Sequence, residues 1–211
     1  VSEQIAQELR KEKDGRTKEI FVVPNFPTET ETNEFRKPQK KDSLSVVYAG
    51  GDSKHKQVTN RDISGLTDLF MHADIGNLTI IGWEPEYSEK FKATGFLPRE
   101  KMYDEMFKNS IGLIPWKKHW SHRFLNPNKA YEYAHAGLYV MLTSDLKSVI
   151  HTLGENCLTF DDYEDLASKL QYYKRNTDEL YEKRFKIFNY ARTNLVWEKH
   201  DKKILDAYKS V

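Results

Sequence analysis

Short apolar runs alternating with amphipathic stretches predict an α/β domain built on a parallel sheet with helices on both faces. Three observations carry this. First, the apolar runs at 44–49, 78–81, 111–115, 138–142 and 157–160 are short and continuous, as strands buried on both faces should be. Second, the segments between them place apolar residues at helical spacing, as with Ile63, Leu66, Leu69 and Phe70. Third, the connections are short, and glycine or proline closes several strands, as at Gly50-Gly51, Gly82 and Pro115. Ligands of such sheets bind beyond the carboxyl ends of the strands, near a topological switch point. Residues that follow strands are therefore the candidates for function.

In chain order, Ile5, Ala6 and Leu9 predict a helix over 3–13. Residues 19–23 read as a strand stopped by the turn dipeptide Pro24-Asn25. Residues 25–43 are polar and read as a surface linker, with the main domain starting at Leu44. A helix is expected over 61–73 and a short strand in 91–97 around Thr94-Gly95-Phe96. Pro98, tolerated in a first turn, opens a helix to 108. Residues 116–126 form a loop carrying Trp116, His119, Trp120 and His122. The helix opened by Pro127 ends on Gly137, a residue suited to the turn that terminates helices. Helices over 145–152, 162–174, 177–193 and 198–209 complete the pattern, with Leu180, Phe185, Phe188 and Ala191 as a core stripe.

Composition narrows the function. Aromatics at 13% within 38% hydrophobic residues are enough for a packed core. The 33 basic and 32 acidic residues balance, so the basic excess of a nucleic-acid binder is missing. The single Cys157 can form no internal disulfide, which fits a reducing cytosol, and its apolar neighbours make it a core atom rather than a nucleophile. No run of about 18 apolar residues could span a membrane, and the first ten residues are too polar for a signal peptide. A start at valine suggests a piece of something longer. Neither a Gly-x-x-x-x-Gly-Lys-Ser/Thr loop nor a Gly-x-Gly-x-x-Gly turn occurs, which disfavours nucleoside triphosphatases of that type and dinucleotide oxidoreductases. Two loop histidines without further ligands do not make a zinc site.

The strongest local signal is the stretch 127–140. A helix beginning there offers unpaired backbone N–H groups and a positive dipole end, a natural diphosphate seat. Lys129 adds a full charge. Glu132 follows on the same face, where a carboxylate can accept hydrogen bonds from both hydroxyls of a ribose. Lys129 and Glu132 could equally be a solvated surface pair, and the residues alone leave both readings open.

This stretch resembles the signature helix of retaining GT-B glycosyltransferases of the capsule and O-antigen type, whose pattern runs Pro-x-Lys-x-x-Glu-Tyr-x-x-x-Gly-x-Pro-Val. Pro127, Lys129, Glu132, Tyr133, Gly137 and Val140 match, and Thr143-Ser144-Asp145 resembles the polar turn that follows. Tyr139 replaces the second proline, and Phe124 stands where many relatives carry an acidic residue facing the donor sugar. Elsewhere, residues 20–25 resemble the end of an interdomain connection. Gly50-Gly51 followed by Lys56 resembles the turn that cradles donor phosphates, with Gly51 in place of an arginine and Lys54 as a competitor for the lysine. Gly82 and the segment Gly95-Phe96 resemble turns flanking the nucleotide base, and Trp197-Glu198 and Tyr208 the closing helix.

The resemblance implies one Rossmann-like half of a GT-B fold. Residues 1–43 would be the connection, 44–196 the donor-binding domain, and 197–211 a helix packing toward a missing acceptor-binding half. It implies a nucleoside-diphosphate sugar bound by Gly50, Gly51, Lys56, Gly95, Phe96, Asn128, Lys129 and Glu132. Transfer to a glycan or lipid-linked acceptor in polysaccharide or glycoconjugate synthesis would need no cofactor and no metal, the Asp-x-Asp clamp of the other major fold being absent. The location would be cytoplasmic, at the inner face of the membrane only through the missing half. No catalytic residue is identified, and the fragment alone would transfer nothing. The departures at Gly51 and Phe124 keep a second reading open, a non-catalytic nucleotide-sugar-binding domain or an epimerase of the same fold.

Overall fold

The computed structural model describes residues 2–11, 20–32, 35–51 and 59–209. Its sheet has seven strands: β1 (Ser45–Ala49), β2 (Asn77–Ile81), β3 (Glu86–Tyr87), β4 (Phe91–Ala93), β5 (Ile111–Ile114), β6 (Tyr139–Thr143) and β7 (Cys157–Phe160). Their spatial order is β3-β4-β2-β1-β5-β6-β7. All pairings are parallel except the short edge strand β3 against β4. The chain builds outward from β1 through β2 to β4, then returns to place β5 on the other side of β1. The switch point therefore lies between β1 and β5, as in a Rossmann-like sheet. The expected sheet is present, but β4 ends at Ala93, ahead of the Thr94-Gly95-Phe96 centre expected, because Gly95 at φ 74 turns the chain away; β3 is unanticipated, because two exposed residues carry no apolar signal.

The helices are α1 (Glu3–Lys11), α2 (Glu29–Thr32), α3 (Leu66–His72), α4 (Arg99–Phe107), α5 (Lys129–His135), α6 (Lys147–Leu153), α7 (Tyr163–Arg175), α8 (Thr177–Asn194) and α9 (Asp201–Lys209). They surround the sheet, with α5 against β5, β6 and α8, and α3 against β2, β4 and α7. Helix α3 starts later than expected because Gly65 sits at φ 84, a left-handed geometry that stops a helix, and Ile63 is buried ahead of it. Asp162 opens α7 by accepting the N–H of Asp165 at 2.8 Å. The loop after β5 contains a 3-10 turn, Trp120–Phe124, where no element was expected.

Three expectations are corrected. Residues 20–23 form no strand, since no neighbouring strand offers them a ladder. The supposed surface linker is packed: Phe26 meets Tyr131 edge-on at 4.7 Å, Phe35 meets Tyr103 at 4.5 Å, and both phenylalanines belong to the core that covers the sheet. Polar composition concealed two aromatic anchors, each able to contribute roughly 1.5–3 kcal/mol of burial. In α8 the buried stripe is Leu180, Arg184, Ile187, Phe188 and Ala191, whereas Phe185 is exposed. The Arg184 guanidinium donates to the carbonyls of Gly137 at 2.9 Å, Gln39 at 2.7 Å and Asn109 at 3.4 Å. Gly137 and Asn109 follow the C-termini of α5 and α4, where carbonyls lack helical partners and favour a cation. Among the described residues no helix is long and apolar enough to cross a membrane.

Candidate functional site

At the switch point the backbone must come very close to itself and to side chains, and glycines permit it. Gly50 follows β1 and donates its N–H to Ile81 at 2.8 Å. A Cβ on Gly50 would lie 2.5 Å from both the Lys129 Nζ and the Tyr48 hydroxyl. Gly82, at φ +105, leaves β2 so close to this turn that a Cβ would lie 2.7 Å from the Gly50 carbonyl. Its N–H in turn donates to the Gly95 carbonyl at 2.8 Å. The turns after β1, β2 and β4 thus form one continuous floor. Helix α5 is pinned above it: the Tyr133 ring lies on Gly112 of β5, and its hydroxyl accepts the Ala49 N–H at 2.7 Å.

Over the floor opens a cleft of about 520 Å³. Gly50, Gly51, Phe96, Asn128, Lys129 and Glu132, expected as site residues, all line it. Gly95 stands behind the lining and holds Gly82, and Lys56 lies outside the described residues. Arg61, Met102, Trp116 and Asn126 line the cleft as well. Of these, Arg61 carries the most chemistry and no local motif marks it. It enters from a short 3-10 turn, Thr59–Arg61, whose place against the cleft is set by packing.

Lys129 is not a solvated surface residue. Its ammonium lies 4.4 Å from the centre of the Tyr48 ring and 5.3 Å from that of Trp116. Burial, then the neighbouring Arg61, lower its pKa to about 7, while Glu132 pulls the other way. The Arg61 guanidinium lies 5.6 Å from the Trp116 ring. Among the described residues neither cation has a carboxylate within salt-bridge distance. Two basic side chains beside an aromatic face in a cleft, with no carboxylate partner among the described residues, are arranged to receive an anion.

The backbone contribution is smaller than expected. The N–H groups of Ala130, Tyr131 and Glu132 already donate to the carbonyls of Pro127 and Asn128, at 3.1, 2.9 and 3.1 Å. Only the earliest donors of this helix start remain for a ligand, so the side-chain cations dominate. Glu132 is mostly buried and does not pair with Lys129; its partner is Arg99 at 3.6 Å. Burial raises the Glu132 pKa, and Arg99 followed by Lys129 oppose the rise. Phe124, His119 and His122 are not among the residues lining the cleft. His122 is buried with Nε2 2.6 Å from the Asn60 carbonyl, and His119 holds Ser121, which makes them supports of the loop.

No protein-family model matches this chain, and no curated protein does. Solved structures do resemble it. Sucrose-phosphate synthase from Thermosynechococcus elongatus superposes with a TM-score of 0.72 at 15% identity, over 100% of this chain and 57% of that one. Anabaena HepE in complex with UDP-glucose gives 0.75 at 12% identity, over 99% of this chain and 62% of that one. S. aureus TarM in a complex containing UDP gives 0.74 at 11% identity, over 99% and 43%. The chain therefore spans about half the length of these three structures. At these identities the likeness shows the fold: a Rossmann-like half of the GT-B architecture.

Proposed function

We propose that this chain is the donor-binding half of a retaining GT-B-type glycosyltransferase that uses a nucleoside-diphosphate sugar. The observation that carries the reading is that Lys129, Arg61 and the Gly50-Gly51 turn line one cleft, with Glu132 one helical turn from Lys129. The diphosphate lies against the two cations, the ribose hydroxyls reach Glu132, and the base lies toward Gly82 and Phe96. Structures of similar fold solved with UDP or UDP-glucose support uridine as the first base to try. In transfer, the departing diphosphate gains charge, and fixed cations in a partly dehydrated cleft favour that state over the intact donor. Burial and Arg61 lower the pKa of Lys129, and an arriving diphosphate raises it again and favours the charged lysine.

The acceptor, a glycan or lipid-linked sugar in polysaccharide or glycoconjugate synthesis, belongs to a preceding half that faces this cleft. Residues 1–43 form the connection to that half, and residues 197–211 pack back toward it. The isolated chain would bind donor without transferring sugar, and would work on the cytoplasmic side of a membrane reached through the other half. Gly51 in place of an arginine favours the alternative of a binding-only domain or an epimerase. Arg61 weakens that alternative, because it returns a guanidinium to the same cleft from another segment.

The test is calorimetric titration of the chain with UDP, UDP-glucose and pyrophosphate, with and without a chelator. Binding of UDP that survives chelation is expected, and UDP at about 100 times its dissociation constant should stabilise the fold by about 2.7 kcal/mol. Binding abolished by chelator and restored by manganese would refute the metal-independent site. Sugar transfer to any acceptor by this chain alone would refute the two-half reading.

A further inference from the structure

Glu132 stands in the wall between two clefts. One is the donor cleft. The other, of about 370 Å³, is lined by Asn25, Phe26, Thr28, Glu31 and Arg99 among others. Through that second cleft Glu132 meets a graded series of contacts. Its Oε1 lies 3.6 Å from the Arg99 guanidinium. The same Nη2 lies 3.2 Å from Glu31 Oε1 and donates to the Tyr103 hydroxyl at 3.2 Å. Glu31 Oε2 accepts the Thr28 N–H at 2.9 Å. Helix α2, which carries Glu31, is itself clasped. The Glu198 carboxylate accepts the Glu29 N–H at 3.0 and 2.9 Å, and Arg192 donates to the Thr32 carbonyl at 3.0 Å. The series thus ends on backbone that the C-terminal elements hold in place.

We propose that Arg99 is a positioning residue for the ribose-binding carboxylate: Glu31 holds its guanidinium from behind, and the guanidinium holds Glu132 Oε1 so that Oε2 is presented to the donor cleft. Among the described residues Oε2 takes part in no hydrogen bond or ion pair. The inference rests on the donor-site reading above, and assigns to it two residues, Arg99 and Glu31, outside the helix that carries Glu132. The physical need is definite. A carboxylate gripping two vicinal hydroxyls must be ionised and fixed, yet burial opposes its ionisation. The charged and titratable groups facing Glu132 are Arg99 and Tyr103 from α4, Glu31 from α2, and Lys129 and Tyr133 from its own helix. Of these, Arg99 is the largest influence toward the ionised form. Arg99 itself is half exposed, so its pairs contribute little to folding. Its removal is expected to leave the fold intact and change the site.

The experiment compares UDP with 2′-deoxyuridine diphosphate by calorimetry, in the unmutated chain and in Arg99→Met, Arg99→Lys, Glu31→Gln and Glu132→Gln. The unmutated chain should prefer the ribonucleotide on the order of 10-fold, the size of a charge-assisted hydrogen bond. Arg99→Met should reduce that preference to about 2-fold, Arg99→Lys should restore part of it, and Glu31→Gln should fall between. The pH below which UDP binding weakens should rise in Arg99→Met. A merely structural arginine would move neither the sugar preference nor that pH. A preference and pH profile unchanged in Arg99→Met overturn the inference. Should that variant fail to fold, Arg99→Gln, which removes the charge but keeps a polar side chain, decides, and an unchanged preference and pH profile there overturn it equally. Glu132→Gln separates the two levels: an undiminished preference in that variant, or no UDP binding by the unmutated chain, overturns the donor-site reading instead.

Discussion

Lys129 offers the sharpest test of the site, because its environment makes nucleotide affinity depend on pH in a calculable direction. In the free chain its pKa is lowered to about 7, first by burial and then by Arg61. A bound diphosphate adds two nearby negative charges and raises it again. Below about pH 7 the lysine is charged in both states, and affinity does not change through it. Above that, the free chain has lost a proton that the complex regains, so binding takes up one proton. Affinity should then fall by up to about 10-fold per pH unit, equal to about 1.4 kcal/mol, until the pKa of the complex is reached. UDP-glucose is the appropriate ligand, since its diphosphate has no terminal phosphate to titrate in this range. Calorimetry at pH 8 in two buffers of different ionisation enthalpy should report uptake of close to one proton per UDP-glucose. Lys129→Met should abolish the uptake and weaken binding about 10- to 100-fold at pH 6.5. The same substitution should stabilise the ligand-free chain by about 2 kcal/mol at pH 7, because a desolvated cation is replaced by an apolar side chain of similar length. An affinity that stays flat between pH 6.5 and 8.5 in the unmutated chain would refute the reasoning. So would an identical pH dependence in Lys129→Met.

Further outcomes follow from the same geometry. Arg61→Gln should weaken UDP about 10-fold and shift the pH dependence of the unmutated chain upward, since Arg61 depresses Lys129; paired titrations at pH 7 and 8 check both. Gly50→Ala should lose nucleotide affinity with the fold retained at a cost of about 1–3 kcal/mol, because the new Cβ collides with Lys129 and Tyr48; urea unfolding and UDP titration measure the two effects. Arg184→Met should destabilise the chain by about 3 kcal/mol or more in urea, as three carbonyls lose their donor, with UDP affinity of the folded fraction unchanged.

Much of the architecture is legible in the sequence, since local periodicity reports which face of each element is buried. The strands β1, β2, β5, β6 and β7 fall where continuous apolar runs place them, and the helices lie between. The glycine turns at Gly50 and Gly82 are legible for the same reason: a glycine closing a strand marks backbone that must pass close to other atoms. Spacing also places Lys129 and Glu132 together on one helix face, and both line the cleft. What each of them meets there is not a local property. Whether Lys129 is solvated or buried against Tyr48 and Trp116 depends on β1 and the loop after β5, which spacing within α5 does not encode. Arg61 reaches the cleft from a turn with no motif, and Arg99 reaches Glu132 from the start of α4. Phe26 and Phe35 lie in a stretch whose polar average conceals them. Arg184 sits in the middle of a buried stripe because two helices end there with unpaired carbonyls. The sequence by itself determined the sheet, its turns and the helix that carries the candidate charges. Only the tertiary structure decided which charges face one another, because that depends on packing between elements far apart in the chain.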